Sequence, residues 1–394
     1  MDILQLIRRK KSLFQEDFKR YGSELKHNVA SSSFLVLGGA GSIGQAITKE
    51  IFKRNPKKLH VVDISENNLV ELVRDIRSSF GYIEGEFRTF ALDIASWQFD
   101  AYTNTQTDFD YVLNLTALKH VRSEKDPFTL MRMIETNILN SLKITSWAKE
   151  IGSKKYFAVS TDKAANPVNM MGATKRIMEL FLMLDSEKIN ISTARFANVA
   201  FSDGSLLHSF KQRLAKRQPI VAPNDVKRYF VTPQEAGAIC LFSTVLGKNR
   251  DVFFPILGDE HLIKFTDIAM SYLKYAGYEP YLVSSEDEAR NKIEELTSAG
   301  QWPCLFAPSN TTGEKTFEEF YTKDEEPDFV SFQDFGVINS KLKPEFEKLD
   351  NFLDSIYALK QKGQWSKEEL IDLLLYVLPN FEHEEKGKNL DSKM

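Results

Sequence analysis

A threonine, an aspartate and a lysine stand in a row at Thr161, Asp162 and Lys163, where the apolar run Tyr156–Val159 ends. A hydroxyl, a carboxyl and an amine packed together can donate, accept and transfer protons. A second lysine, Lys175, follows in Met171-Gly172-Ala173-Thr174-Lys175. The plainer reading of this stretch is a capped turn with a solvated lysine. Its position argues for chemistry, because in open α/β sheets ligands sit at the carboxyl ends of the strands.

A second feature lies near the amino terminus. Phe34–Leu37 runs into Gly38-Gly39-Ala40-Gly41-Ser42-Ile43-Gly44, with glycines 38, 41 and 44 in G-x-x-G-x-x-G spacing. Glycine serves where a backbone turns tightly and where a pyrophosphate must approach without a Cβ in the way. The helix that starts here aims its free N–H groups at that anion. An apolar strand before the loop and a helical pattern after it form the confirming context for a dinucleotide site. Asp63 closes the second apolar run, Leu59–Val62. A carboxylate there accepts both ribose hydroxyls of adenosine and repels a 2′-phosphate, favouring NAD over NADP; a turn residue is the plain alternative. Asp93-Ile94, after the third run, is placed beside adenine, with a simple turn aspartate as a near-equal alternative.

These groups need a frame. Phe34–Leu37, Leu59–Val62, Phe87–Leu92, Tyr111–Leu115, Tyr156–Val159 and Ile191–Phe196 read as strands separated by helices. Asp126-Pro127 is a helix start, with aspartate as N-cap and proline in the first turn. This alternation predicts a Rossmann-like, doubly wound parallel α/β sheet. The expected organisation is a helical arm over 1–33 and a nucleotide-binding domain over 34–200, with segments returning near 232–258. A smaller substrate lobe over 201–378 and a disordered tail over 379–394 complete it. Within the lobe, Thr322–Phe335 reads as an acidic loop and Lys367–Leu378 as an amphipathic helix capped by Ser366. The arm carries Ile3, Leu6, Ile7, Leu13, Phe14, Phe18 and Tyr21 near helical spacing around Arg8-Arg9-Lys10-Lys11. It is expected to pack on its own domain or a sister subunit, the alternative being a basic helix on a membrane surface.

Composition narrows the class. With 394 residues, 42% hydrophobic and 27% charged, the chain is an ordinary globular protein with ample core. A net charge of -4 offers no general attraction for nucleic acid. Two cysteines, Cys240 and Cys304, make no disulfide framework and suit a cytoplasmic setting. No apolar run reaches the roughly 18 residues of a membrane span, and no signal-peptide pattern is present. His60, His208 and His261 lack ligand spacing, so no metal is expected.

The segments GGAGSIG, NLTALKHV (114–121), VSTDKAANPVNMMGATKR (159–176), RFANVAFSDGS (195–205), KRYFVTPQEA (227–236) and TGEKTFEE (312–319) occur in this order. Together they resemble the UDP-N-acetylglucosamine 4,6-dehydratases of bacterial polysaccharide and nonulosonic-acid biosynthesis, within the extended short-chain dehydrogenases. The resemblance covers roughly residues 34–320. It implies oxidation at C4 of the sugar by NAD, removal of the C5 proton, loss of the C6 hydroxyl and return of hydride to C6. By the same resemblance, Thr161 bonds O4, Asp162 is the acid at the C6 hydroxyl and Lys163 the base at C5. Lys175 holds the nicotinamide ribose. Gly38, Gly41, Ser42, Ile43, Gly44, Asp63, Asp93, Ile94, Leu115 and Ala117 line the cofactor. Lys119 faces the sugar, and Asn137 supports the site from behind. Asn198 and Arg228 hold the UDP-sugar diphosphate. Glu314 and Glu318 point toward the uridine ribose, a capped helix start being the equal alternative. A basic Lys163 must lose its proton, so burial, Lys175 and the nicotinamide ring are expected to depress its pKa. Desolvation by the bound sugar is expected to raise that of Asp162.

One departure stands out. Most short-chain dehydrogenases carry Tyr-x-x-x-Lys, but Met171 occupies the tyrosine position here. A thioether takes no proton from a C4 hydroxyl, so Lys163, or Thr161 with a water, is expected to do so; Met170 and Met171 could be packing residues. A 4-epimerase shares the fold and the C4 oxidation but needs no acid–base pair at C5 and C6. A nucleotide-sugar-binding protein without activity is the alternative from another class. A homo-oligomer is expected, with the arm as a plausible interface.

Overall fold

The computed structural model of the protein describes residues 2–309 and 318–382. Glu314 and the tail from residue 383 lie outside the described residues. Strands β1 (Ser33–Leu37), β2 (Lys58–Asp63), β3 (Glu86–Ala91), β4 (Tyr111–Asn114), β5 (Lys155–Thr161) and β6 (Ile191–Phe196) match the apolar runs closely. They form most of a nine-stranded sheet. From one edge the order is Pro327–Asp328, Phe335–Asn339, Asp251–Pro255, β6, β5, β4, β1, β2, β3. β1 to β6 and Asp251–Pro255 run parallel, and Phe335–Asn339 runs antiparallel to Asp251–Pro255. Every residue of β1 is buried, as covering both faces of a parallel sheet requires.

Helices α1 (Ile3–Leu6), α2 (Gln15–Ala30), α3 (Ser42–Phe52), α4 (Glu66–Phe80), α5 (Trp97–Thr103), α6 (Pro127–Ile134), α7 (Asn140–Glu150) and α8 (Met170–Asp185) follow in chain order. Asp126 caps α6 as the sequence implies, accepting from the N–H groups of Phe128 and Thr129 at 3.0 and 2.9 Å. Between α6 and α7 the chain makes one wider π turn, Glu135–Leu139. Such turns recur at functional sites.

Three regions bear on the expected division. The arm packs on its own domain, one of the two placements expected of it. Phe14, Leu25 and Val29 are buried in the core that holds β1 and helix Pro233–Val245, and Phe14 stacks on Phe335 at 4.2 Å. Its basic run is split up. Arg9 forms a two-point ion pair with buried Glu235 at 2.9 and 2.5 Å, and Arg8 pairs with Asp267 at 3.2 Å. Second, Phe335–Asn339 belongs to the main sheet and not to the later lobe, because it pairs with the edge of Asp251–Pro255 that β6 leaves open. Third, helices Phe346–Lys362 and Lys367–Val377 pack on α6 and α8, where Phe352, Ile356 and Leu374 meet Leu130, Ile134 and Ile177. Ser366 caps the last helix in a capping box with Glu369.

The smaller sheet, Glu279–Leu282, Gln301–Ala307 and Ile220–Pro223, lies against helices Leu206–Ala215 and Phe265–Tyr275 around Phe210, Ile268 and Trp302. Helix Pro233–Val245 is apolar on nearly all sides and buried. A Cβ on Gly237 would lie 2.8 Å from Ala46, so this glycine lets the helix approach α3 closely.

Candidate active site

The sheet order reverses at β1, which has β2 on one side and β4 on the other. This switch point is where a doubly wound sheet opens a crevice. Gly38 turns the chain there with φ +71, and a Cβ on it would lie 2.9 Å from the Thr116 nitrogen. A Cβ on Gly44 would lie 2.1 Å from the Gly38 carbonyl oxygen. Both glycines are therefore required by the chain itself. Gly41 differs: a Cβ there would meet only Gly38 O, at 3.6 Å, an ordinary contact. It is the N-cap of α3 and supplies no side-chain cap, so the first turn faces an open approach for an anion.

Asp63 is buried, and its carboxylate accepts from the Ala40 N–H and the Ser65 N–H, both at 2.9 Å. It thus serves the turn after β2 and the glycine loop together. Ser42 Oγ accepts from the Asp203 N–H at 2.9 Å, joining the loop to the segment after β6. Ile43 and Leu115 pack against the core, and the Leu115 N–H donates to the Leu37 carbonyl at 2.9 Å. Asp93 is exposed and accepts from the Ala95 N–H at 2.9 Å, the geometry of a plain turn. Ile94 is buried with Phe99 and Tyr102.

After β4, buried Asn114 accepts from the Thr116 hydroxyl at 2.6 Å and donates to Tyr156 at 3.0 Å. Asn137, in the π turn, grips Leu118 through both its N–H and its carbonyl at 3.0 Å and also donates to Thr174. One buried amide therefore ties the segment holding Ala117 and Lys119 to α8. Lys119 is exposed, but surrounding protein still holds its ammonium below the usual lysine range.

The Thr161 hydroxyl donates to Asp162 Oδ1 at 2.7 Å, and Lys163 Nζ lies 3.2 Å from the same oxygen. Asp162 is 3% exposed. A Cβ on Gly172 would lie 2.5 Å from the Lys163 carbonyl, so α8 begins pressed against this turn. The expected depression of the Lys163 pKa is not what the site produces. Burial does oppose its charge, but the Asp162 and Glu318 carboxylates outweigh burial and hold the ammonium above the ordinary lysine range. Lys175 behaves otherwise. Burial lowers its pKa to about 8, only partly offset by Glu179, and it donates to the Val159 carbonyl at 3.1 Å. Met171 packs among residues of α6 and the C-terminal helix pair, and its N–H donates to buried Glu124 at 2.9 Å.

Behind β5 lies a network that motif reading missed. Ser160 donates to Glu179 at 2.6 Å. Arg195, with no exposed surface, makes two-point contacts with Glu179 at 2.9 and 2.7 Å and with Glu325 at 2.7 and 2.9 Å. Arg176 pairs with both carboxylates at 3.1 and 3.3 Å. A signal existed: an arginine inside the apolar strand ISTARF demands a buried partner.

Asn198, Arg228 and Glu318 meet on the other side of the Asp162–Lys163 turn. The Asn198 side-chain amide donates to Glu318 Oε1, and the Tyr229 N–H donates to Oε2 at 2.8 Å. Arg228 Nε lies 3.7 Å from Oε1. Burial raises the Glu318 pKa to about 7, with Asp162 adding to the rise and Lys163 opposing it. Glu318, read from sequence as a ribose contact or helix cap, therefore sits beside the acid–base pair.

Residues 34–340 match the polysaccharide biosynthesis protein family. The chain is 30% identical over 315 residues to an uncharacterised membrane protein of Methanocaldococcus jannaschii, covering 78% of this chain and 85% of that one. It is 26% identical over 360 residues to an inverting UDP-N-acetylglucosamine 4,6-dehydratase of Campylobacter jejuni, covering 87% and 97%. Among solved structures, Pen from Bacillus thuringiensis aligns with TM-score 0.64 at 23% identity, over 88% of this chain and 98% of that one. The UDP-Glc/GlcNAc 4-epimerase of C. jejuni aligns with TM-score 0.58 at 16% identity over 84% and 100%. WbmF of Bordetella bronchiseptica, solved with NAD+, aligns with TM-score 0.52 at 17% identity over 68% and 88%. These likenesses establish the Rossmann fold. No helix among the described residues is long and apolar enough to cross a membrane.

Proposed function

This chain belongs to the polysaccharide biosynthesis protein family, and we propose that it is an NAD-dependent 4,6-dehydratase of UDP-N-acetylglucosamine or a close nucleotide sugar. The observation that carries the reading is the Thr161–Asp162–Lys163 cluster at the carboxyl end of β5, on the crevice side that also bears the glycine loop. An epimerase has no use for a paired acid and base at C5 and C6. The cluster holds a carboxylate and an ammonium 3.2 Å apart. One proton passed from Lys163 Nζ to Asp162 turns this ion pair into a carboxylic acid and a free amine. Those are the acid needed at the C6 hydroxyl and the base needed at C5. Thr161, already bonded to Asp162, orients O4.

The glycine loop fits a dinucleotide because Gly41 leaves the first turn of α3 open while Gly38 and Gly44 satisfy the chain's own packing. NAD, when bound there, supplies hydride exchange with the sugar. Gly38, Gly41, Ser42, Ile43 and Gly44 hold its pyrophosphate. The anchored Asp63 carboxylate favours a free 2′-hydroxyl over a phosphate. Asp93 and Ile94 line the adenine side and Leu115 and Ala117 the crevice floor. Lys175 holds the nicotinamide ribose, Lys119 faces the sugar, and Asn198 and Arg228 take the diphosphate.

The test is proton NMR of the purified protein with UDP-N-acetylglucosamine in D₂O. A new C6 methyl signal with deuterium at C5 is expected. Formation of the C4-epimer alone would assign the protein to the epimerases, and an unchanged substrate, with NAD added, would make it a binding protein.

A further inference from the structure

Two groups allotted to the substrate diphosphate are already engaged by a side chain of this chain. The Asn198 amide and the Arg228 guanidinium both face Glu318, whose second oxygen is fixed by the Tyr229 N–H at 2.8 Å. The Glu318 side chain is 3% exposed. Two residues further on, Phe320 is buried against Val252, Phe254 and Ile338, and its carbonyl accepts from Arg195 at 2.9 Å. Both carboxyl oxygens are therefore held and the chain just after Glu318 is packed in place, so a dianionic diphosphate entering the subsite must share it with Glu318. A second carboxylate, Asp162, bears on the same group from the turn after β5.

We infer that Glu318 takes up a proton when the diphosphate of a nucleotide sugar binds at Asn198 and Arg228, so that substrate binding is tied to protonation of this residue. The inference deepens the nucleotide-sugar reading and rests on it. The proton comes from solvent, and no bond other than the new O–H forms. Protonation removes one of the two carboxylate charges that keep Lys163 cationic.

The sign follows from the groups around Glu318. Asp162 and burial favour its neutral form, while Lys163 and Arg228 favour its charge, and the balance puts its midpoint at about 7. The Tyr229 phenol also faces it and is itself held neutral by burial and by Asp259. Below that midpoint the proton is already present and affinity is flat. Above it affinity falls about tenfold per pH unit.

The experiment is calorimetric titration of the full-length protein with UDP-glucose, whose diphosphate diester does not ionise in this range. Wild-type affinity should weaken about twentyfold from pH 6.5 to 8.5. At pH 8, enthalpies in buffers of different ionisation heat should show close to one proton taken up. Glu318→Gln should abolish the uptake and bind at pH 8.5 as wild type does at 6.5. Burial also lowers the Lys119 pKa, and any slope from that residue would survive in Glu318→Gln. Wild-type binding without proton uptake, or with release, overturns the inference. If UDP-N-acetylglucosamine still yields the C6 methyl in that case, dehydration stands without it. Absence of UDP-glucose binding at every pH also overturns the inference, and dehydration is then decided by C6 methyl formation from UDP-N-acetylglucosamine alone.

Discussion

Replacing Glu325 by alanine should cost about 3 kcal/mol of folding stability. Arg195 has no exposed surface, so the charge it carries must be matched inside the protein. Two carboxylates match it, Glu179 and Glu325, each through two hydrogen bonds of 2.7–2.9 Å. Arg176 brings a second positive charge, which makes the four-residue network neutral. Alanine at 325 leaves two guanidinium groups facing one carboxylate. It also strips the Thr322 N–H of its acceptor at 2.9 Å. Breaking a buried pair by removing one partner costs about 3–5 kcal/mol. The lower end applies because Glu179 still engages Arg195. The neighbouring Glu326 is the control. It carries the same charge and pairs with Lys341 at 2.6 Å, but with both side chains about four-fifths exposed. Such a pair adds little, so Glu326→Ala should leave stability unchanged within error. Urea unfolding of the two variants and wild type, with equal slopes, measures the difference as a shift in midpoint. If Glu325→Ala were as mild as Glu326→Ala, the claim that these carboxylates neutralise a dry arginine would fail.

Gly44→Ala should destabilise the fold by about 1–3 kcal/mol, because its Cβ would lie 2.1 Å from a backbone oxygen. Gly41→Ala should fold as wild type but retain less NAD through purification; equal NAD content in the two proteins would sink the phosphate assignment. Lys163→Met should lower the rate of C6 methyl formation by about a thousandfold, with UDP-glucose binding retained. Glu179 is raised by burial but pulled down to about 2 by Arg195 and Arg176. Its pKa is depressed on folding, so its stabilisation is complete above about pH 4.5 and is lost as pH falls toward about 2. The stability gap between wild type and Glu179→Gln should therefore narrow from pH 7 to pH 3, and a constant gap would contradict the assignment.

The sequence by itself determined the frame. Six runs became β1 to β6 nearly to the residue, because the inner strands are buried on both faces and so are largely apolar along their length, whereas the edge strand β3 is only partly buried. Glycine spacing marked the turn after β1, and Asp126 and Ser366 marked helix starts, because backbone geometry and capping are local properties. Thr161, Asp162 and Lys163 were legible as a cluster because they are neighbours in the chain.

What only tertiary structure decided concerns groups that meet from distant parts of the sequence. The arm became part of the core through Phe14 against Phe335 and Arg9 against Glu235. The C-terminal helices found their apolar partner on α6 and α8, which also buried Met171 in helix packing. The lone arginine of β6 acquired Glu325 from the acidic loop. Most consequential is the charge on Lys163. Local reasoning counted burial and positive neighbours and expected a depressed pKa. The fold brought Glu318 to Asp162, and two carboxylates reversed the sign. Secondary structure is written in short-range periodicity, whereas a site's electrostatics is a sum over every charge the fold gathers and the water it excludes.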